Sequence, residues 1–110
     1  MSIYRGTYYA KPFLIKDENG DAIDISLWEF ESMFRDRVES AVVLTLTTAN
    51  GGWVVTDGPA GEVEMRITDV QSAALPLKKL VADVLRTEVT PGPEYLFGIR
   101  IPVKEPVTRD

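Results

Sequence analysis

The fold is decided by the segment Tyr95-Leu96-Phe97-Gly98-Ile99-Arg100-Ile101-Pro102-Val103. Apolar side chains occupy alternate positions of this segment, and Arg100 falls between two isoleucines. An apolar/polar alternation with a period of two residues is typical of a β-strand that buries one face. We therefore predict a strand whose buried side carries Tyr95, Phe97, Ile99, Ile101 and Val103.

The same alternation recurs upstream, in short segments separated by turn residues. It predicts that three sets of apolar residues each share one strand face: Trp28, Phe30 and Phe34; Val42, Leu44 and Leu46; and Val63, Met65 and Ile67. Further strands are predicted at residues 7–16, 27–37, 41–49, 53–56, 62–68 and 80–89. Asn19-Gly20 and Asn50-Gly51-Gly52 supply the flexible backbone that tight turns need. Pro12 lacks an N–H donor, which places the first of these strands at a sheet edge or a bulge. Trp53 begins a short return strand after the second turn.

One segment breaks the strand pattern. Thr68 is a good helix N-cap, the residues after it lose their β-branching, and Pro76 ends the segment. We predict a single short helical turn there. The whole chain, residues 1–110, is then one all-β domain: an antiparallel, immunoglobulin-like β-sandwich of about seven to eight short strands with one helical turn.

The composition narrows the range of functions. The 110 residues include no cysteine and no histidine, and the formal net charge is −5. The absence of cysteine and histidine argues against thiolate chemistry, zinc binding and histidine acid–base catalysis. The negative net charge argues against nucleic-acid binding, because an acidic domain repels the phosphate backbone. No apolar run approaches the ~20 residues of a membrane helix. We expect no cofactor, no catalytic residue, and neither nucleic-acid nor membrane partners.

Two sets of acidic residues are candidates for chemistry. Asp17, Asn19, Asp21 and Asp24 place oxygen ligands in a pattern that suits calcium, but no later carboxylate completes a calcium loop. A solvated hairpin turn is the better interpretation of this loop. Asp83 lies in an otherwise apolar strand, where it is functional, points outward, or pairs with an arginine such as Arg35 or Arg100.

The aromatic residues have two interpretations. Trp28 and Trp53 fit strand positions of the core, although either would also serve as a platform for sugars. The tyrosines near the amino terminus, Tyr4, Tyr8 and Tyr9, are more than the core of an edge strand needs. Tyrosine is enriched at protein interfaces. We interpret this segment as a surface that contacts a partner protein.

The order of these motifs resembles small β-sandwich proteins and domains from the structural genes of tailed bacteriophages. The matching segments are Arg5-Gly6-Thr7, residues 16–26, Met33-Phe34-Arg35, residues 46–52, residues 61–65, Val81-Ala82-Asp83-Val84, Gly98-Ile99-Arg100-Ile101 and Val107-Thr108-Arg109. The chain departs from the pattern at Ser72, where a threonine is usual, and at Ala82, where an aromatic residue is often found. The resemblance implies a virion structural component without catalytic residues.

From this resemblance we expect a non-enzymatic virion protein, assembled in the bacterial cytoplasm. It would be an adaptor or accessory component that is present in several symmetric copies and binds neighbouring tail, baseplate, neck or fibre proteins. A capsid decoration protein and a carbohydrate-binding module are the alternatives. The expected partner contacts are Arg5, Tyr8 and Tyr9, together with Glu105, Val107 and Arg109 of the carboxyl-terminal tail.

Overall fold

The computed structural model describes residues 1–107 and consists mainly of β-strands. In chain order the elements are β1 Ile3–Tyr4, β2 Tyr9–Leu14, β3 Phe30–Arg35, β4 Val42–Thr47, β5 Trp53–Asp57, β6 Glu62–Ile67, α1 Asp69–Ala73, β7 Lys79–Arg86 and β8 Glu94–Lys104. The predicted all-β sandwich-like fold with one short helix is confirmed. The two-residue strand β1 was not among the predicted strands.

The strands form two sheets. The larger sheet has the order β1-β8-β7-β3-β4, and the smaller has the order β2-β6-β5. Neighbouring strands are antiparallel except for β1, which runs parallel to β8. The return strand predicted at Trp53 exists as β5, and it pairs with β6 in the smaller sheet. The chain therefore crosses between the sheets at residues 48–52.

Alternation of side chains builds the core between the sheets. On β6, Val63, Met65 and Ile67 are buried, whereas the residues between them are only partly covered. Phe30 and Phe34 of β3 are buried in the same way, as the sequence predicted. Phe30 stacks on Trp53, with ring centroids 5.8 Å apart. The aromatic rings thus fill the space where the two sheets face each other.

A buried hydrogen bond joins the two sheets inside this core. The Trp53 indole Nε1–H of β5 donates to the Ser32 Oγ of β3 over 3.0 Å. Both residues are 1% exposed. Ser32 lies between Phe30 and Phe34 on the inward side of β3, where a hydroxyl without a partner would be costly. The pair satisfies the polar atom of each residue and fixes β5 opposite β3.

Two predicted core residues lie on the outside, because bulges shift the strand register. The β7–β8 ladder pairs Val84 with Phe97 and then Leu85 with Tyr95, so Leu96 is an extra residue. One extra residue reverses the face of every residue beyond it. Tyr95 is consequently 59% exposed, and the prediction that it faces the core is wrong. A bulge between β3 and β4 likewise leaves Val42 exposed.

The predicted helical turn is confirmed as α1. The Thr68 side chain accepts a hydrogen bond from the Gln71 backbone N–H, and the Gln71 side chain accepts one from the Thr68 N–H, which makes a capping box. Ser72 is buried, and its hydroxyl donates to the Thr7 carbonyl over 2.7 Å. Because Thr7 precedes β2, this bond ties the helix to the amino-terminal segment.

The hydrogen bond between the sheets is testable by a double-mutant cycle. We expect Ser32→Ala to lower the free energy of unfolding by about 1–3 kcal/mol, because it leaves the buried Trp53 N–H without an acceptor. The cycle of Ser32→Ala, Trp53→Phe and the double variant should give an interaction free energy of about 0.5–1.5 kcal/mol. The measurement is urea denaturation monitored by circular dichroism. Fully additive effects would contradict the account.

Candidate interaction surface

An open groove crosses the outer face of the larger sheet, and we call it the outer groove. Its volume is about 620 Å³. The residues that line it come from β3, β7, β8 and the loop after β3: Met33, Arg35, Val38, Val81, Ala82, Asp83, Tyr95, Gly98, Ile99 and Arg100. Apolar and charged side chains therefore share one exposed face.

The strand register brings these residues together. Val81 of β7 pairs with Arg35 on one side and with Arg100 on the other, and Asp83 pairs with Gly98. Gly98 has no side chain, and a Cβ placed there would lie 3.4 Å from the Tyr95 hydroxyl oxygen. The Tyr95 hydroxyl therefore lies over the strand at Gly98, at a distance where a Cβ would make an ordinary van der Waals contact. The β8 bulge, which turns Tyr95 outward, shapes this end of the outer groove.

The outer groove carries charges of both signs. Arg35 is held by its own loop, since its Nη1 donates to the Ser40 carbonyl over 2.9 Å. Asp83 is exposed and points outward, which was one of its predicted placements. Within residues 1–107, the ion pairs involve neither Asp83 nor Arg100. The pairing of Asp83 with Arg35 or Arg100 is therefore not seen in this part of the chain.

Two of the predicted contact residues, Arg5 and Glu105, are brought together at the β1 edge of the larger sheet. Arg5 Nη1 lies 3.4 Å from Glu105 Oε2, and Arg5 Nη2 donates to the Ala73 carbonyl of α1 over 3.1 Å. The Arg5 backbone N–H also donates to the Lys104 carbonyl. Arg5 and Glu105 thus connect the amino-terminal strand, the helix and the end of β8. Their role toward a partner stays a prediction.

The other predicted contact residues are scattered. Tyr8 is 58% exposed and precedes β2, whereas Tyr9 packs against the core, and its burial raises the pKa of its hydroxyl. Tyr4 lies in β1, so the tyrosines belong to two sheets rather than to one edge strand. Val107 is fully exposed. Arg109 lies outside the described residues.

The free edge of β4 is closed by a side chain. Asn50 Nδ2 donates to the Thr45 carbonyl over 3.0 Å, and Asn50 Oδ1 accepts from the Thr47 N–H over 2.9 Å. The same Oδ1 accepts from the Gly52 N–H. Asn50 therefore occupies backbone groups of β4 that a further strand would use. An edge blocked in this way resists strand addition.

The remaining sheet edges also carry features that discourage strand addition. β1 has only two residues, and β2, which contains Pro12, lies at a sheet edge, one of the two positions predicted for it. β5 has a register irregularity between Val55 and Asp57. Short strands, prolines and bulges all discourage pairing with another chain. The faces of the sheets are therefore better contact surfaces than their edges.

The acidic loop is a hairpin turn. Asp17 Oδ1 accepts from the Asn19 N–H over 2.9 Å and from the Asp21 N–H over 3.0 Å, and Gly20 adopts a φ of 85°. Asp24 accepts two hydrogen bonds from Ser26, which lower the pKa of its carboxyl group. In the part of the chain that the structure covers, no three acidic residues converge on a possible metal site. These contacts favour the solvated-turn interpretation.

Neither tryptophan presents an open ring. Trp53 is 1% exposed, so its interpretation as a sugar platform is wrong. Trp28 is partly buried against the core, and the Arg86 guanidinium lies 3.9 Å from the centroid of its ring. A carbohydrate platform needs an accessible aromatic face. At Trp28 the Arg86 guanidinium occupies this face.

No known protein family and no curated protein match this chain. No helix within residues 1–107 is long and apolar enough to cross a membrane.

Sequence reasoning missed the outer groove as a surface. Met33 and Gly98 received no functional interpretation from the pattern, and Asn50 was interpreted only as a turn residue. Gly98 is the one residue whose position could have indicated an irregularity in β8, because an isolated glycine inside a strand often marks a bulge or a close approach. The Asn50 contacts depend on how the turn folds back on β4, which the residue pattern does not specify.

The blocking role of Asn50 can be tested by substitution. We expect Asn50→Ala to lower the free energy of unfolding by about 1–3 kcal/mol, because it unpairs several backbone groups at the edge of β4. The variant should also form larger aggregates in light scattering, since the edge is then open. Asn19→Ala in the first hairpin is the matched control. An Asn50→Ala protein as stable and as monodisperse as this control would contradict the role.

Proposed function

We propose that this chain is a non-enzymatic structural protein of a tailed bacteriophage virion, an adaptor that binds neighbouring proteins. The observation that supports a binding role best is the outer groove. It presents Met33 and Tyr95 beside Arg35, Asp83 and Arg100 on one open sheet face. Aromatic residues, methionine and arginine are the residue types enriched at protein interfaces.

The mechanism is packing of a sheet face against a partner. The apolar side chains supply the free energy of burial, and the charges of the outer groove select the orientation of the partner. Strand pairing at an exposed sheet edge is a second way to bind a partner protein. The closed edge of β4 and the proline in β2 favour the face over the edges.

The assignment to a virion rests on the resemblance of the sequence motifs. It implies several symmetric copies in the particle and neighbours in the tail, baseplate, neck or fibre. Arg5 and Glu105 form an ion pair where β1 lies against the end of β8, and Tyr8 and Val107 are exposed for contact. A capsid decoration protein is the variant in which the same surface contacts the head.

We further propose that the sandwich is immunoglobulin-like. The orders β8-β7-β3-β4 and β2-β6-β5 are compatible with the variable-type arrangement, in which the strands are named G-F-C-C′ and B-E-D. This proposal concerns topology only, because unrelated functions share this architecture.

The virion assignment predicts that the chain is part of purified particles. Quantitative mass spectrometry of intact particles of the encoding phage should detect several copies per virion. Separated tails and heads should show the chain in the tail fraction, and its presence in heads would support the decoration variant instead. Absence from intact infectious particles would contradict the proposal.

The carbohydrate-binding alternative predicts a different fluorescence response. With Trp53 buried and Trp28 covered by Arg86, we expect blue-shifted tryptophan emission that polysaccharides do not quench. Trp28→Phe should leave this insensitivity unchanged. Saturable quenching by a polysaccharide that is lost in Trp28→Phe would favour the sugar-binding module.

A further inference from the structure

We propose that a second copy of this chain packs on the outer groove, in a pair related by a two-fold axis. This inference deepens the proposed function, on which it rests, because it names one neighbour of the adaptor. In such a pair each copy contributes the same patch of surface. The patch must therefore be complementary to itself.

The charges of the outer groove meet this requirement. The groove has two arginines, Arg35 and Arg100, and one carboxylate, Asp83. A patch with charges of one sign would repel its own copy, whereas a patch with both signs can pair with it after rotation. Asp83 and Arg100 lie on neighbouring strands and take part in no ion pair within the described chain. Asp83 of one copy can therefore face Arg100 of the other, twice per pair.

The net charge of the protein makes this patch distinctive. The chain has 12 basic and 17 acidic side chains, so two copies repel each other over most of their surfaces. In the outer groove the charges of Asp83 and Arg100 balance each other, and the remaining cation, Arg35, is held by the Ser40 carbonyl of its own chain. The lining of the outer groove lacks lysine and glutamate, two of the residue types that are depleted at interfaces.

Exposed apolar side chains continue the patch across the sheet. Met33 and Val42 are each 39% exposed, Val43 is 40% exposed, and Tyr95 stands at the other end of the groove. Val42 pairs with Arg35 in the ladder, so these valines adjoin the groove on β4. Burying such side chains against a second copy supplies the free energy that the charges alone do not.

Charge reversal tests the pair directly. Sedimentation equilibrium at physiological ionic strength, where salt screens the repulsion between the net charges, should show a dimer of the wild-type chain. Asp83→Lys and Arg100→Glu should each weaken the dimer at least about tenfold. The double variant restores opposite charges across the axis and should recover most of the affinity. Glu18→Lys and Lys16→Glu in the first hairpin make the same charge changes and should leave the dimer unchanged.

A labelling experiment locates the contact. The chain has no cysteine, so one introduced thiol reports one position. Tyr95 and Leu14 are 59% and 58% exposed, on the larger and the smaller sheet respectively. At dimer concentrations the Tyr95→Cys thiol should react with a maleimide more slowly than on dilution, whereas the Leu14→Cys thiol should react equally fast at both concentrations.

A wild-type chain that stays monomeric at every concentration would overturn the inference. So would a dimer insensitive to both charge reversals, or equal protection of the two thiols. These results concern only the pairing of copies. If the chain is monomeric yet present in purified virions, the proposed function stands and the outer groove takes a different protein. If the chain dimerises but is absent from virions, the proposed function fails.

Discussion

The hydrogen bond between the Trp53 indole and the Ser32 hydroxyl is the constraint on which the rest of the structure depends. It joins β5 and β3, which lie in different sheets, through atoms that are both buried. Phe30 stacks on Trp53, and Phe13 of β2 lies 5.7 Å from the same ring. Apolar burial is non-directional, whereas a buried donor and acceptor must stay aligned. One pair therefore sets how the two layers face each other.

This arrangement gives the two faces of the larger sheet different environments: the inner face is buried in the core and the outer face is exposed. Because the inner side is committed to the core, only the outer side and the edges are open to the partner contacts that we propose. Asn50 closes the edge of β4, and Pro12 limits the edge of β2. In the outer groove, apolar side chains are exposed to solvent beside Arg35, Asp83 and Arg100. A protein that binds through one open face is the function this surface supports best.

The residue pattern was sufficient to predict the seven longer strands, but it missed the two-residue β1 and did not predict which strands pair. Period-two alternation identified the inward faces of β3 and β6 because burial leaves a direct trace in the residue pattern. The alternation failed at Tyr95, because a single bulge residue reverses the face and the period of two does not show where the bulge lies. It also did not reveal that Ser32 is a buried member of the core, since its partner is distant in sequence. The outer groove depends on the register between strands, which lies beyond any local pattern.

Native-state hydrogen exchange of the Trp53 indole N–H tests the central claim most directly. In two-dimensional NMR spectra this proton should exchange only through global unfolding, with a protection that matches the free energy of unfolding of the whole domain. The partly covered Trp28 indole serves as an internal reference and should exchange faster. Rapid exchange of the Trp53 proton in the folded protein would show that the two sheets are not joined at Ser32, and the account would be wrong.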